Sequence, residues 1–169
     1  MMKIGIFYGS TTGNTENAAR AIRSQLEPLG QVALHNIADC PPARMADYDL
    51  ILLGSSTWGV GELQDNWAGH EDLDGVDLTG KYVALFGTGD QMGFSDTFVD
   101  AMGLLANAAL KAGATLVGKW PTEGYDFTQS GSVQEDRFVG LALDEDNQSD
   151  QTDDRISQWT EQLKGEVTT

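Results

Sequence analysis

Lys3-Ile4-Gly5-Ile6-Phe7-Tyr8-Gly9-Ser10-Thr11-Thr12-Gly13-Asn14-Thr15 is the stretch that decides the fold. An apolar run of strand length passes into a glycine- and hydroxyl-rich turn, and the turn opens an amphipathic helix. Backbone N–H groups in a tight turn, together with a helix N-terminus, hold an anion without a cationic side chain. Ser10, Thr11, Thr12 and Thr15 add hydroxyl donors, while Gly9 and Gly13 allow close approach to the backbone. Two other phosphate loops are excluded. A Walker-type loop ends in Gly-Lys-Ser/Thr, and here Asn14 stands in the place of the lysine; the pattern G-x-G-x-x-G is missing as well. The cradle suits one terminal phosphate held by neutral donors.

Outward from this unit the chain alternates between strand and helix. The spacing of Ala18, Ile22, Leu26 and Leu29 predicts a helix over 14–29, ended by Gly30. A short strand follows over 32–36, and Pro41-Pro42 breaks the next segment. Residues 49–54 are a continuous apolar run of the kind buried on both faces of a parallel sheet, and 81–86 read the same way. Phe98, Met102, Leu105 and Ala109 predict a helix over 95–112. Residues 114–118 and 138–143 are further strands, separated by a glycine- and aromatic-rich insertion. A last helix over 153–164 buries Ile156, Trp159 and Leu163. This alternation predicts an α/β fold, a parallel sheet with helices on both faces.

With 169 residues the chain supports one sizeable core, so a single domain over 1–169 is expected. No run reaches the roughly 18 apolar residues of a membrane span. The first residues read as strand rather than secretory leader, which predicts a cytoplasmic protein. The single cysteine, Cys40, excludes an internal disulfide and a cysteine-rich metal site. Ten basic against 26 acidic residues give a net charge of −16, which repels nucleic acid and anionic membrane. Solubility or a saline habitat would also produce that excess. The distribution favours a docking role for basic partners: Glu62, Asp65, Glu71, Asp72, Asp74 and Asp77 form one cluster without Lys or Arg, and residues 144–154 another.

In a doubly wound sheet, ligands bind beyond the carboxyl ends of the strands at the topological switch point. The loops 9–15, 55–62 and 88–95 should meet there. The second carries Ser56, Thr57, Trp58, Gly59, Val60 and Gly61; the third carries Thr88, Gly89, Asp90, Met92, Gly93 and Phe94. An isolated Trp or Phe is more often core packing than a cofactor platform. Placement in glycine-rich loops that follow strands reverses that expectation, so a flat heteroaromatic ring can lie between Trp58 and Phe94 with its phosphate in the first loop. No Ser-His-Asp set, carboxylate dyad or metal cluster stands out, and His35 and His70 are isolated.

The stretches IGIFYGSTTGNTE, STWGVGELQDNW, ALFGTGDQMGF, VGKWPTEGYDF and RFVGLALDEDNQSD, collinear from Lys3 to Lys164, resemble those of a long-chain flavodoxin. The resemblance implies a flavodoxin-like three-layer sandwich. Its five-stranded parallel sheet has the order 2-1-3-4-5, and an insertion of about 20 residues around 120–137 interrupts the fifth strand. It also implies non-covalent FMN and low-potential one-electron transfer between the semiquinone and hydroquinone states, without substrate turnover of its own. By position, Ser10, Thr11, Thr12, Gly13, Asn14 and Thr15 would hold the FMN phosphate, Trp58 and Phe94 would cover the two ring faces, and the 88–93 segment, Asp90 above all, would meet the pyrimidine edge. Asp146 would lie near the phosphoribityl end. No catalytic or metal-binding residue is implied.

Two positions depart from the family pattern. Members usually carry Tyr where Phe94 stands, so stacking is kept and the hydroxyl lost. Gly59 stands where many relatives have Asn or a similar residue. In the family, a peptide at this place flips on one-electron reduction. Glycine tolerates the positive φ of the flipped turn, which costs another residue about 1–2 kcal/mol, so Gly59 is expected to stabilise the semiquinone.

Nearby carboxylates should disfavour the anionic hydroquinone and make the second couple strongly reducing. The acidic rim should orient redox proteins with basic docking surfaces. The DEDNQSD and GELQDNW blocks are most similar to cyanobacterial members, which points to photosystem I and ferredoxin-NADP reductase as partners, with other low-potential oxidoreductases also open. A monomer is expected. Two other classes compete. An FMN-dependent NAD(P)H reductase of the quinone or azo type needs an open flavin face, and a receiver-type signalling domain needs acidic residues where Ser10-Thr11 and Ser55-Ser56 stand.

Overall fold

A computed structural model describes residues 2–58 and 60–167. The opening apolar run forms β1 (Met2–Gly9), and the helix behind the hydroxyl-rich turn is α1 (Asn14–Leu26). Pro28 converts the end of the expected helix into a single 3-10 turn, and β2 (Gly30–Asn36) begins at the glycine itself. β3 (Leu50–Trp58) is followed by the two-residue β4 (Glu62–Leu63), which folds back antiparallel on it. Then come β5 (Tyr82–Thr88), α2 (Asp100–Lys111), β6 (Thr115–Val117), β7 (Trp120–Pro121), β8 (Val133–Gln134), β9 (Arg137–Phe138), β10 (Leu141–Leu143) and α3 (Thr152–Glu166).

The main sheet runs β2-β1-β3-β5, and both β6 and β10 pair parallel with β5. β6 lies along Tyr82–Ala84 and β10 along Phe86–Thr88, so two short strands share the fifth position end to end. The expected order 2-1-3-4-5 is met when strand positions are counted, with β4 as an antiparallel addition. The residues between β6 and β10 fold into their own antiparallel sheet, β7-β9-β8. α1 and α3 pack on each other against the sheet, and α2 packs on β3 and β5 away from them. The α2 face is completed by 3-10 turns at Pro42–Asp47 and Leu73–Gly75, which bury Met45 and Leu73.

Leu50, Ile51, Leu52 and Leu53 are fully buried, as a strand covered on both faces requires. The next residue must be small: a methyl group on Gly54 would stand 2.1 Å from Phe86 Cζ. Trp67, Trp159, Phe7, Phe86, Phe98 and Phe138 are the largest buried side chains of one continuous core. Among the described residues no helix is long and apolar enough to cross a membrane.

One expected element starts late. The helix predicted over 95–112 begins at Asp100, and residues 91–98 form turns instead. The insertion occupies the carbonyls that a first helical turn would use. Ser95 O accepts from the N–H groups of Thr128 and Gln129, Phe98 O from Ser130 Oγ, and Val99 O from Ser132 Oγ. Val99 then enters α2 through a left-handed backbone (φ 50°) with its side chain fully buried.

Candidate functional site

The carboxyl ends of four strands line up in register. Gly9 pairs with Ser55, Ser55 with Gly87, Ser56 with Thr88, and Thr88 with Leu143. The three expected loops leave the sheet at this edge, and a fourth, Asp144–Gln148, joins them after β10. Between them lies a cavity of about 470 Å³, within the range of small-molecule and cofactor sites. Thr12 and Asn14 line it from the first loop; Ser56, Thr57 and Trp58 from the second; Thr88, Gly89, Asp90 and Phe94 from the third. Glu145 and Asp146 close it from the fourth.

At its inner end the hydroxyl-rich turn is held open. Gly13 takes the left-handed backbone (φ 95°) of the N-cap and has no side chain to spend on the helix amides. Its own N–H donates to Ser10 Oγ at 3.1 Å. Of the turn, Ser10, Thr11, Gly13 and Thr15 do not line the cavity. Thr11 Oγ1 accepts from Gln64 Nε2 at 2.8 Å, and the Thr15 hydroxyl is buried against that of Thr88. Gln64, absent from the expected set, is buried and braces the turn from just beyond β4: its N–H donates to Ser55 Oγ at 3.1 Å and its Oε1 accepts from Asn66 N–H. Sequence reasoning had no signal for it beyond its place in the GELQDNW block.

At the outer end two aromatic side chains stand free. Trp58 is 41 % exposed and Phe94 56 %. Trp58 is oriented by its Nε1–H, which donates to Ser56 Oγ at 2.7 Å, and Thr57 Oγ1 accepts from the N–H of Ala101 in α2. Val60, Gly61, Met92 and Gly93 lie outside the cavity lining, with Val60 and Met92 strongly exposed. Gly59, and with it the expected peptide flip, falls outside the described residues.

Asp90 is turned inward on its own loop. Its Oδ1 accepts from the N–H groups of Met92 and Gly93 at 3.1 and 2.7 Å and from Asn147 Nδ2 at 2.8 Å. Those donors, the Gly93 amide first, hold its carboxyl below the usual range. Asp146 is shifted the other way, upward, by partial burial and then by the charges of Asp90 and Asp144. Asp144, expected on the acidic rim, is instead fully buried and accepts from the N–H groups of Gln91, Asp146 and Asn147. Of the rest of that cluster Glu145 is half-buried and Asp146, Asp150, Asp153 and Asp154 are exposed, as are all six acids of the 62–77 cluster.

A second hollow of about 530 Å³ lies between β7 and α3. No expected site residue reaches it, and its wall carries Glu123 and Asp154 beside Arg137 and Arg155, a mixture that selects neither charge.

A flavodoxin family model matches residues 6–159. The chain belongs to the flavodoxin family. A flavodoxin of Trichodesmium erythraeum is 49% identical over 168 residues, covering 98% of each chain. Flavodoxin 2 of Salmonella typhi is 50% identical over 169 residues, covering 98% of this chain and 97% of its own. A crystal structure of Fusobacterium nucleatum flavodoxin bound to flavin mononucleotide superposes with a TM-score of 0.93 at 30% identity, over 99% of this chain and all of the other. Flavodoxin relatives are thus similar to about the same degree from cyanobacterial and enteric sources.

The cavity of this flavodoxin fits FMN on its own features. A slot flanked by two half-exposed aromatic rings suits a flat ring. Its inner end offers hydroxyls and an uncapped helix start for a phosphate, and no Lys or Arg is among the described residues lining it.

Proposed function

We propose that the cavity holds FMN and that residues 1–169 act as a single-domain, low-potential one-electron carrier. The observation that carries this reading is the placement of Trp58 and Phe94 on one slot whose inner end is the hydroxyl-rich turn before α1. Bound there, FMN supplies a ring that accepts and releases electrons one at a time. The chain's residues do the rest. Ser10 to Thr15 hold the phosphate with neutral donors, some of them directly and Thr11 and Thr15 by bracing the turn. Trp58 and Phe94 exclude water from both ring faces, and the backbone of 88–93 faces the pyrimidine edge. Asp90, Glu145 and Asp146 line the cavity and place negative charge around the bound flavin, which disfavours additional negative charge there and lowers the potential.

Enclosure of both faces also argues against an NAD(P)H-dependent reductase, which needs one face free for the nicotinamide. The partners that fit are redox proteins with basic surfaces, drawn to the exposed acids of 62–77 and 146–154. Photosystem I as donor and ferredoxin-NADP reductase as acceptor is the pair we infer from the DEDNQSD and GELQDNW blocks, with the carrier a cytoplasmic monomer.

The deciding experiment is absorbance during stepwise anaerobic reduction of the FMN-loaded protein. Two separated one-electron steps are expected. Reduction in a single two-electron step, or rapid reduction by NADPH alone, would replace the carrier with the reductase. A chain that takes up no FMN would end the proposal.

A further inference from the structure

Gln91 lies on the loop between Asp90 and Phe94, which line the cavity, yet its own side chain does not line it and is 2% exposed. Its N–H donates to Asp144 Oδ2 at 3.1 Å, and its Nε2 donates to the same oxygen at 2.7 Å and to Gln148 Oε1 at 2.8 Å. Its Oε1 accepts from the N–H of Asp126 in the insertion. Gln148 Oε1 accepts a second bond, from Arg155 Nη1 at 2.8 Å, while Gln148 Nε2 donates to Gly124 O at 2.8 Å. Arg155, on α3, is 7% exposed and stacks over the Tyr125 ring at 4.1 Å.

A buried carboxylate and a nearly buried guanidinium are thus joined through two amides rather than in direct contact. The charges leave each amide one orientation. Gln91 must turn its NH₂ toward Asp144 and Gln148, and Gln148 must turn its carbonyl toward Gln91 and Arg155. Neither amide can flip without placing like partners together. The chain spans loop 88–94, the 118–140 insertion, the loop after β10 and α3. Through Asn147, which donates to both Asp144 and Asp90, it reaches the turn that carries Phe94.

We propose that Gln91 is a positioning residue for the flavin site: its amide ties the Phe94 loop to the insertion and α3, and so holds the ring-facing wall ready before FMN arrives. The inference rests on FMN lying between Trp58 and Phe94. It gives the insertion a task at the site, because a preordered wall lowers the entropy lost on binding.

The test compares Gln91→Met, which keeps length and removes every side-chain hydrogen bond of the amide, with Ile22→Val, a core change in α1 remote from the chain. Gln91→Met should weaken FMN and riboflavin by the same factor, about tenfold, because the defect lies at the ring and not at the phosphate. It should also change the visible circular dichroism of bound FMN and speed amide exchange at Asp126 in the FMN-free protein. Ile22→Val should lower the melting temperature and leave those three signals alone. Gln91→Met with FMN affinity within about twofold of the parent, unchanged dichroism and only a lowered melting temperature would overturn the inference. Should Gln91→Met fail to fold, Gln148→Met cuts the next link and must move the same signals, or the inference falls. If the unsubstituted protein takes up no FMN, the proposed function fails and this inference with it; uptake by the parent with no response in the variants removes this inference alone.

Discussion

The hydroxyls of Thr15 and Thr88 lie 2.9 Å apart in the interior and join the first turn of α1 to the last residue of β5. Both side chains are nearly inaccessible, so each hydroxyl satisfies the other where water does not reach. The bond crosses the site from the hydroxyl-rich turn to the start of loop 88–95, and it explains why a hydroxyl expected to bind phosphate does not line the cavity.

Removing one partner should therefore cost more than removing both. Thr88→Val strands the Thr15 hydroxyl in the interior and should cost about 1–3 kcal/mol, whereas the Thr15→Val/Thr88→Val double variant should regain much of that loss. Urea unfolding of the FMN-free protein measures the coupling. Additive losses would show that the two hydroxyls act independently.

Phe94 presents 56 % of its surface at the mouth of the slot, apolar area that a stacked ring would cover. Phe94→Ala should weaken FMN by about 1–3 kcal/mol, on the scale of aromatic stacking on a heterocycle, while Phe94→Tyr should keep the affinity within a few-fold because the ring face is retained. Quenching of FMN fluorescence on titration reads both. An undiminished affinity in Phe94→Ala would place the ring elsewhere.

Asp90 and Asp146 should affect the pH dependence of stability in opposite directions. The folded-state carboxyl of Asp90 is shifted below 3.8, so its ionised form contributes stability above the unfolded value that is lost as pH falls through the folded one. Asp146 is shifted upward, so its ionisation opposes folding increasingly as pH rises from 3.8 through its folded value. At pH 7 Asp90→Asn should destabilise the FMN-free protein and Asp146→Asn should stabilise it, each by less than about 1 kcal/mol because both groups face solvent. Both differences should shrink at acid pH. Urea midpoints at pH 7 and near pH 3 check the signs.

The exposed acids of 62–77 bear on encounter with a partner. Glu62→Gln combined with Asp65→Asn should slow electron transfer to a basic partner at low salt and flatten its dependence on ionic strength, since screening already removes most of that attraction at about 0.1 M. Stopped-flow rates with ferredoxin-NADP reductase across a salt series test this. Parallel salt curves for parent and variant would move the docking face away from this cluster.

Much of the site was legible because its chemistry is local. The hydroxyl-rich turn follows β1 directly, Trp58 ends β3 and Phe94 lies in the loop after β5, and parallel strands bring their carboxyl ends to one edge. The late start of α2 was not legible, since its cause is a set of hydrogen bonds from the insertion, about 30 residues further on, to the carbonyls of Ser95, Phe98 and Val99. Asp144 was read as a surface acid for a similar reason. Composition places a carboxylate outside by default, and its burial depends on amides supplied by Gln91, Asp146 and Asn147.

By itself the sequence determined the strand-turn-helix unit, the alternation that makes a parallel sheet and the loops that follow its strands, because each depends on periodicity and residue type over a few consecutive positions, whereas the strand order followed only from the resemblance to flavodoxins. Tertiary structure alone decided which polar side chains face the cavity and which brace it. Thr11, Thr15, Gln64, Gln91 and Asp144 have the chemistry of binding residues, but each satisfies its hydrogen bonds inside the protein. That choice rests on partners distant in the chain, and no local pattern records it.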